Sequence, residues 1–259
     1  MNPLIVASGP AAVANALATA PAAHPGDDAV LPGGPELPVS GAILFARYAY
    51  PPNELGYCGP PDSQALLQYG AEGQVDRGLL ELAKGFAGAW PYLELIAHAN
   101  GIADALDRRV VEAYWLGNEL LDAVRAPAYG DSIEERFRGL VGRDWPHLAA
   151  VAEQAPRPHH NVHVFCVYPW VGLLRTGATD HALHVLDRCR IRWGRVRGIG
   201  GATAVVESSH LQWDGHRLLL GEPTAETVTV SEGGRALTGG LVPGDLVACH
   251  WEWACHPIT

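Results

Sequence analysis

Two stretches decide how this chain is read: Cys189-Arg-Ile-Arg-Trp-Gly-Arg-Val196 and Gly244-Asp-Leu-Val-Ala-Cys-His-Trp-Glu-Trp-Ala254. Between them lie the β-type runs Thr203-Ala-Val-Val206, Arg217-Leu-Leu-Leu220 and Glu226-Thr-Val-Thr-Val230, punctuated by Gly200-Gly201, Asp214-Gly215, Gly221, Gly233-Gly234 and Gly239-Gly240. Short runs of aliphatic and β-branched residues, with turn signals about every ten residues, predict a small closed barrel. We place that barrel at residues 187–259 and a helical domain at residues 41–186. The fold class is α+β: a mostly α-helical N-terminal domain followed by a small OB-like β-barrel. Residues 1–40 are rich in Ala, Pro and Gly, and no basic residue precedes Arg47. They read as a largely disordered segment and not as a secretory signal, which needs a basic start.

The helical reading rests on periodicity and caps. Ala42-Ile-Leu-Phe-Ala-Arg-Tyr-Ala-Tyr50 carries the first dense apolar content and is expected to stop at Pro51-Pro52. The turn-rich loop that follows holds Cys58 between Tyr57 and Gly59. Asp62 or Ser63 caps a helix through residues 65–69, and further helices are expected over residues 75–86 and 91–100, the second with Pro91 at its start and Gly101 at its stop. Val111, Trp115, Leu116, Leu120 and Val124 give a helical repeat over residues 110–124. Ser132 with Glu135 forms a capping box, and residues 145–154 read as another short helix. Pro156-Arg-Pro158 breaks the pattern, Pro169 redirects the apolar run Val164–Leu174, and residues 180–185 form a last helix or a link feeding Cys189.

Composition excludes several classes. The formal net charge is -10, and no cluster of Lys or Arg offers a phosphate-binding stripe, so nucleic acid is not an expected partner. No apolar run approaches the length of a membrane span, so membrane insertion is not expected. Five cysteines without dense spacing do not form a disulfide framework. They fit a reducing, cytoplasmic compartment, and the single lysine, Lys84, against abundant Arg, Ala, Gly and Pro points to a GC-rich bacterial coding sequence. No Gly-rich phosphate loop, Gly-x-Ser-x-Gly elbow or paired-His metalloprotease motif is present.

The C-terminal segment resembles the HypC/HupF-type nickel-iron hydrogenase maturation chaperones. Their barrel opens on a cysteine followed five residues on by glycine and seven on by an aliphatic residue, as Cys189, Gly194 and Val196 do. It ends in a strand with which Gly244, Asp245, Val247, His250, Trp253 and Ala254 fall in register. The resemblance implies that Cys189 and His250 bind metal, an iron carrying cyanide and carbonyl groups. It implies an assembly protein and not a catalyst, with a hydrogenase large-subunit precursor or another maturation protein as partner. Trp193 stands where the family has proline, Glu252 where it has glycine, and Cys189 lies deep in the chain where the family cysteine follows the initiator Met.

A second metal set is read from spacing alone. On a helix, His159, His163 and Cys166 stand at i, i+4 and i+7, one face able to bind iron or zinc, with Cys58 reaching in from its loop. That set suits an iron- or zinc-dependent enzyme. A metal-free interaction protein is the third alternative. Cys249 and His250 alternate on a strand and so point to opposite faces, which leaves Cys249 as a core residue and the Cys249-His250, Cys255-His256 cluster as a weak zinc signal.

Overall fold

The computed structural model describes residues 39–125, 129–130, 157–168, 170–177 and 179–258. The expectations for residues 1–38, for the Ser132/Glu135 capping box and for the helix over 145–154 lie outside the described residues. The rest forms an α+β structure in which a helical layer packs on a closed barrel.

Helix α1 (Gly41–Glu54) is the centre of the helical layer, with every residue from Gly41 to Asn53 buried. A helix made of Ala, Leu, Ile, Phe and Tyr on all sides has no face suited to water. Ser40 caps it, its hydroxyl accepting the Ile43 N–H at 3.3 Å. At Gly41 a Cβ would stand 2.0 Å from the Leu106 carbonyl oxygen, so only glycine lets that backbone cross the helix start. Contrary to the expected stop, α1 continues through Pro51 and Pro52. Both fall in its last turns, and burial of Tyr50, edge-on to Trp253 at 5.1 Å, holds the residue before the prolines helical.

Around α1 pack α2 (Ser63–Glu72), α3 (Arg77–Lys84), α4 (Trp90–Ala99) and α5 (Arg108–Trp115). Asp62, Asp76 and Asp107 cap α2, α3 and α5, and α4 begins with Pro91 in its first turn. The repeat over residues 110–124 is split: α5 ends at Trp115, Gly117 turns the chain at φ +89, and Glu119–Ala123 is a 3-10 turn. After residue 157 come one α turn (His160–Val162), a π-helical segment (His163–Val167), α6 (Trp170–Arg175) and α7 (Thr179–Cys189).

The barrel strands are β1 (Arg192–Gly200), β2 (Thr203–Trp213), β3 (Leu218–Thr229), β6 (Leu246–His250) and β7 (Trp253–Pro257), with a small β4–β5 pair (Ser231–Glu232, Arg235–Ala236) between. They close in the order β1-β2-β3-β7-β6, all junctions antiparallel except β3–β7 at Thr229 and Trp253. This is the small closed barrel that the turn spacing predicts; it has five strands, with β2 and β3 longer than the short runs implied. Val196, Val206, Val228, Val247, Cys249 and Ala254 fill its interior. Ala248, Trp253 and Cys255 alternate outward and join the core around α1. The outer face of β6 and β7 therefore belongs to the core of the helical layer, while the barrel interior is an apolar cluster of its own.

Cys189 does not open the barrel: it is the last residue of α7, and the first strand begins at Arg192. The orphan carbonyls of that helix end find partners in the barrel. Arg192, only 1% exposed, donates to the Asp187 and Arg188 carbonyls and, at 2.7 Å, to the Trp251 carbonyl, while the Trp251 N–H donates to the Arg188 carbonyl at 2.8 Å. Glu226 balances its charge, 3.1 Å away. Arg192 thus latches the end of α7 to the β6–β7 turn. Replacing it removes the donor named for the Asp187 and Trp251 carbonyls and one of the two arginines that balance Glu226, so Arg192→Met should lower unfolding free energy by about 3 kcal/mol in urea titrations. A loss under about 1 kcal/mol would show that the latch carries little of the fold.

Candidate metal centre

The latch places Cys189 and His250 side by side, and a third residue, His160, completes a buried group. Their ligand atoms lie within 4.8 Å of one another. Bonds from a late transition metal to imidazole nitrogen and thiolate sulfur run about 2.0–2.3 Å, so a small inward movement brings all three onto one ion. Among the described residues this is the one grouping of three such side chains.

Each histidine is already oriented by a backbone carbonyl. His250 Nδ1 lies 2.6 Å from the Tyr48 carbonyl oxygen, and an oxygen of that kind only accepts, so Nδ1 carries the proton. His250 Nε2, in a residue with no solvent exposure, has no hydrogen-bond partner and keeps its lone pair. The Tyr48 carbonyl is available because of Pro52. In an α-helix it would accept the N–H of residue 52, and proline has none. His160 Nε2 lies 2.8 Å from the carbonyl of Cys189, the final carbonyl of α7, and its Nδ1 faces the Tyr114 hydroxyl at 3.5 Å. An imidazole held through one nitrogen by a carbonyl, with the other free, is the usual arrangement around a protein-bound metal; His250 has it, while the second nitrogen of His160 is shared with the Tyr114 hydroxyl.

The walls are aromatic. Trp115 stands 4.5 Å from His160 and 5.5 Å from His250 between ring centroids, the two imidazoles are 5.2 Å apart, and Tyr48 stacks on Trp115. Trp251, buried and held at φ 50 in the β6–β7 turn, packs in the same apolar cluster as Cys189. Its left-handed backbone costs about 1 kcal/mol, offset by burial of the indole and by the latch.

Burial sets the protonation states. Desolvation holds His250 down at about 4 and His160 well below the usual imidazole range, so both are neutral ligands at physiological pH. The Cys189 thiol is pushed well up by burial, with the Trp251 N–H opposing, so it is protonated until an electrophile arrives. The C-terminal end of α7 carries partial negative charge, which favours a cation there.

The residues read from spacing separate. His159 caps the turn, its ring accepting the Asn161 N–H at 3.0 Å. His163 lies between Tyr92 and Tyr168 and against Gly88. Cys166 is half-buried between two apolar clusters. The chain is α-helical only to Val162 and π-helical from His163 to Val167, so the i, i+4, i+7 face does not form. Cys58 sits in its loop, its carbonyl held by Asn53 at 2.7 Å. Cys249 is inside the barrel, while Cys255 and His256 pack on the α1 side, His256 3.5 Å from Arg47. His160 is the residue that spacing missed, since its partners lie 29 positions or more away.

Residues 38–259 match DUF6390, a family of unknown function. The chain belongs to that family. The matched region spans α1 to β7 and so includes all three site residues and their carbonyl partners. No curated protein and no solved structure matches the chain.

Two outcomes follow for this family member. Between the ordinary imidazole value of about 6.5 and about 4, the unfolded chain binds protons that buried His160, His250 and His256 refuse. Stability should be full above pH about 6.5 and fall as pH drops towards 4, by about 3 kcal/mol from His250 alone; His250→Gln should flatten that slope in denaturant titrations at stepped pH. Pro52→Ala restores an N–H aimed at the Tyr48 carbonyl. It should leave the helix at least as stable yet weaken metal binding about 10–100-fold, read by competition with a chelating dye.

Proposed function

We propose that this protein is a metal-binding assembly protein that holds a late transition metal on His160, Cys189 and His250. Iron is the favoured ion, for delivery to a hydrogenase large-subunit precursor or another maturation partner in the cytoplasm. One observation carries the reading: the two residues singled out by the likeness to hydrogenase maturation chaperones, Cys189 and His250, meet in space, with a second imidazole beside them and no alternative partner for His250 Nε2. Two imidazoles and one thiolate suit iron, and equally zinc, in a site with a vacant position. A bound ion would supply Lewis acidity and a place for exogenous ligands.

The chain's own part is physical. Tyr48 and Cys189 carbonyls fix the two imidazoles, Trp115 and Trp251 exclude water, and Arg192 keeps the helix end and the turn in register. Cys189 gives up its proton on binding, so affinity should rise with pH between about 6 and 8.

Protein purified anaerobically from a hydrogenase-expressing host should carry about one equivalent of iron per chain, with cyanide and carbonyl infrared bands. His160→Ala, Cys189→Ala and His250→Ala should each lose it, while His163→Ala and Cys166→Ala should keep it. Stoichiometric zinc in place of iron, with no bands, would replace the iron reading by a zinc one. No bound metal in the wild type, or equal metal in Cys189→Ala, would sink the proposal.

A further inference from the structure

Helix α5 gives the metal centre more than a wall. Its last two residues are Tyr114 and Trp115, and Tyr114, 1% exposed, brings its hydroxyl to 3.5 Å from His160 Nδ1. The phenol ring is fixed by Tyr92, stacked at 5.9 Å, and by Trp115 and His160, edge-on at 4.8 and 5.7 Å.

Which nitrogen of His160 can hold an ion follows from its partners. The Cys189 carbonyl, 2.8 Å from Nε2, only accepts, so Nε2 carries the proton. The lone pair of the neutral ring is then on Nδ1, the nitrogen that faces Tyr114. That hydroxyl is itself poorly partnered. It stands 3.5 Å from Nδ1 and 3.4 Å from the Gly88 carbonyl oxygen, against about 2.8 Å for a well-made hydroxyl bond. Two donors bound at about 2.0–2.1 Å to one tetrahedral ion stand about 3.4 Å apart. The gap between His160 Nδ1 and the Tyr114 oxygen is therefore long for a hydrogen bond and matched to an ion.

We propose that Tyr114 is the fourth ligand of the metal, its oxygen completing a set of two imidazoles, one thiolate and one phenolate with His160, Cys189 and His250. This rests on the metal-binding reading above, and adds to it that His160 binds through Nδ1 while His250 binds through Nε2. Three donors leave one corner of a tetrahedral ion open, and Tyr114 stands beside it on a helix, with no loop to rearrange. In the empty protein burial pushes the Tyr114 phenol well up, so it keeps its proton. On binding, the Tyr114 O–H bond breaks, its proton passes to solvent and an oxygen–metal bond forms, with no change of oxidation state.

Zinc(II), which has no redox chemistry, is the probe. Added to the metal-free full chain under a reductant that is not a thiol, it should produce the ultraviolet difference absorption of an ionised tyrosine. It should also release about two protons per ion, one from Cys189 and one from Tyr114. Tyr114→Phe should lose the tyrosinate band, release about one proton and bind at least about tenfold more weakly. Tyr50→Phe, whose hydroxyl bonds Glu54 and Glu232, should match wild type. A merely structural Tyr114 would move unfolding free energy but neither the band nor the proton count. One proton and no tyrosinate band in the wild type, whatever the stability of the variant, would overturn the fourth-ligand assignment and leave the three-residue site standing. Failure of the wild type to bind zinc at all would overturn both.

Discussion

The structure depends on what happens at the last turn of α7. A helix that ends in the interior exposes carbonyls that must be bonded or cost about 1–3 kcal/mol each. Arg192 takes the carbonyls of Asp187, Arg188 and Trp251, sharing that of Arg188 with the Trp251 N–H, and His160 takes that of Cys189. Each of those bonds draws a different piece of chain onto one point. The thiol of Cys189, the imidazole of His160 and the turn that carries His250 are therefore neighbours as a by-product of ending a helix properly. Helix capping and site assembly are the same set of contacts.

Buried charge is handled locally so that the site itself stays neutral. Arg192 and Arg188 share Glu226, and the Asp187 carboxyl is held below its usual pKa against its own burial, mainly by Arg190 and the Leu211 N–H. On the other side of α7's end, the site holds two neutral imidazoles and a protonated thiol among aromatic rings. A cation entering that space meets neutral donors, and it must displace a proton from sulfur.

Much of the frame was legible in the chain. Turn glycines at regular intervals mark the barrel, the alternation Val247, Ala248, Cys249, His250 correctly sends Cys249 inward and His250 outward, and Asp62 and Pro91 mark helix starts. Local rules failed where tertiary contact overrides them. Pro51-Pro52 reads as a stop, yet burial carries α1 past it. The histidine run reads as one helical face, but the backbone changes from α to π at His163 and so selects His160. No spacing rule could select it, because its meeting with Cys189 and His250 exists only once the chain is folded.

The bond between His250 and Tyr48 joins residues 202 positions apart. Strand β6 follows every helix of the structure in the chain, so during N-to-C synthesis the helical layer is complete before His250 exists. Until that strand docks, the Tyr48 carbonyl left without a helical donor at Pro52 has no imidazole to receive, and neither nitrogen of His250 is committed. The lone pair is aimed only when the barrel closes on α1. The protein's competence for its ion thus has a place in time: it arises with the last strand pair, and an ion captured earlier would meet a different, incomplete set of donors.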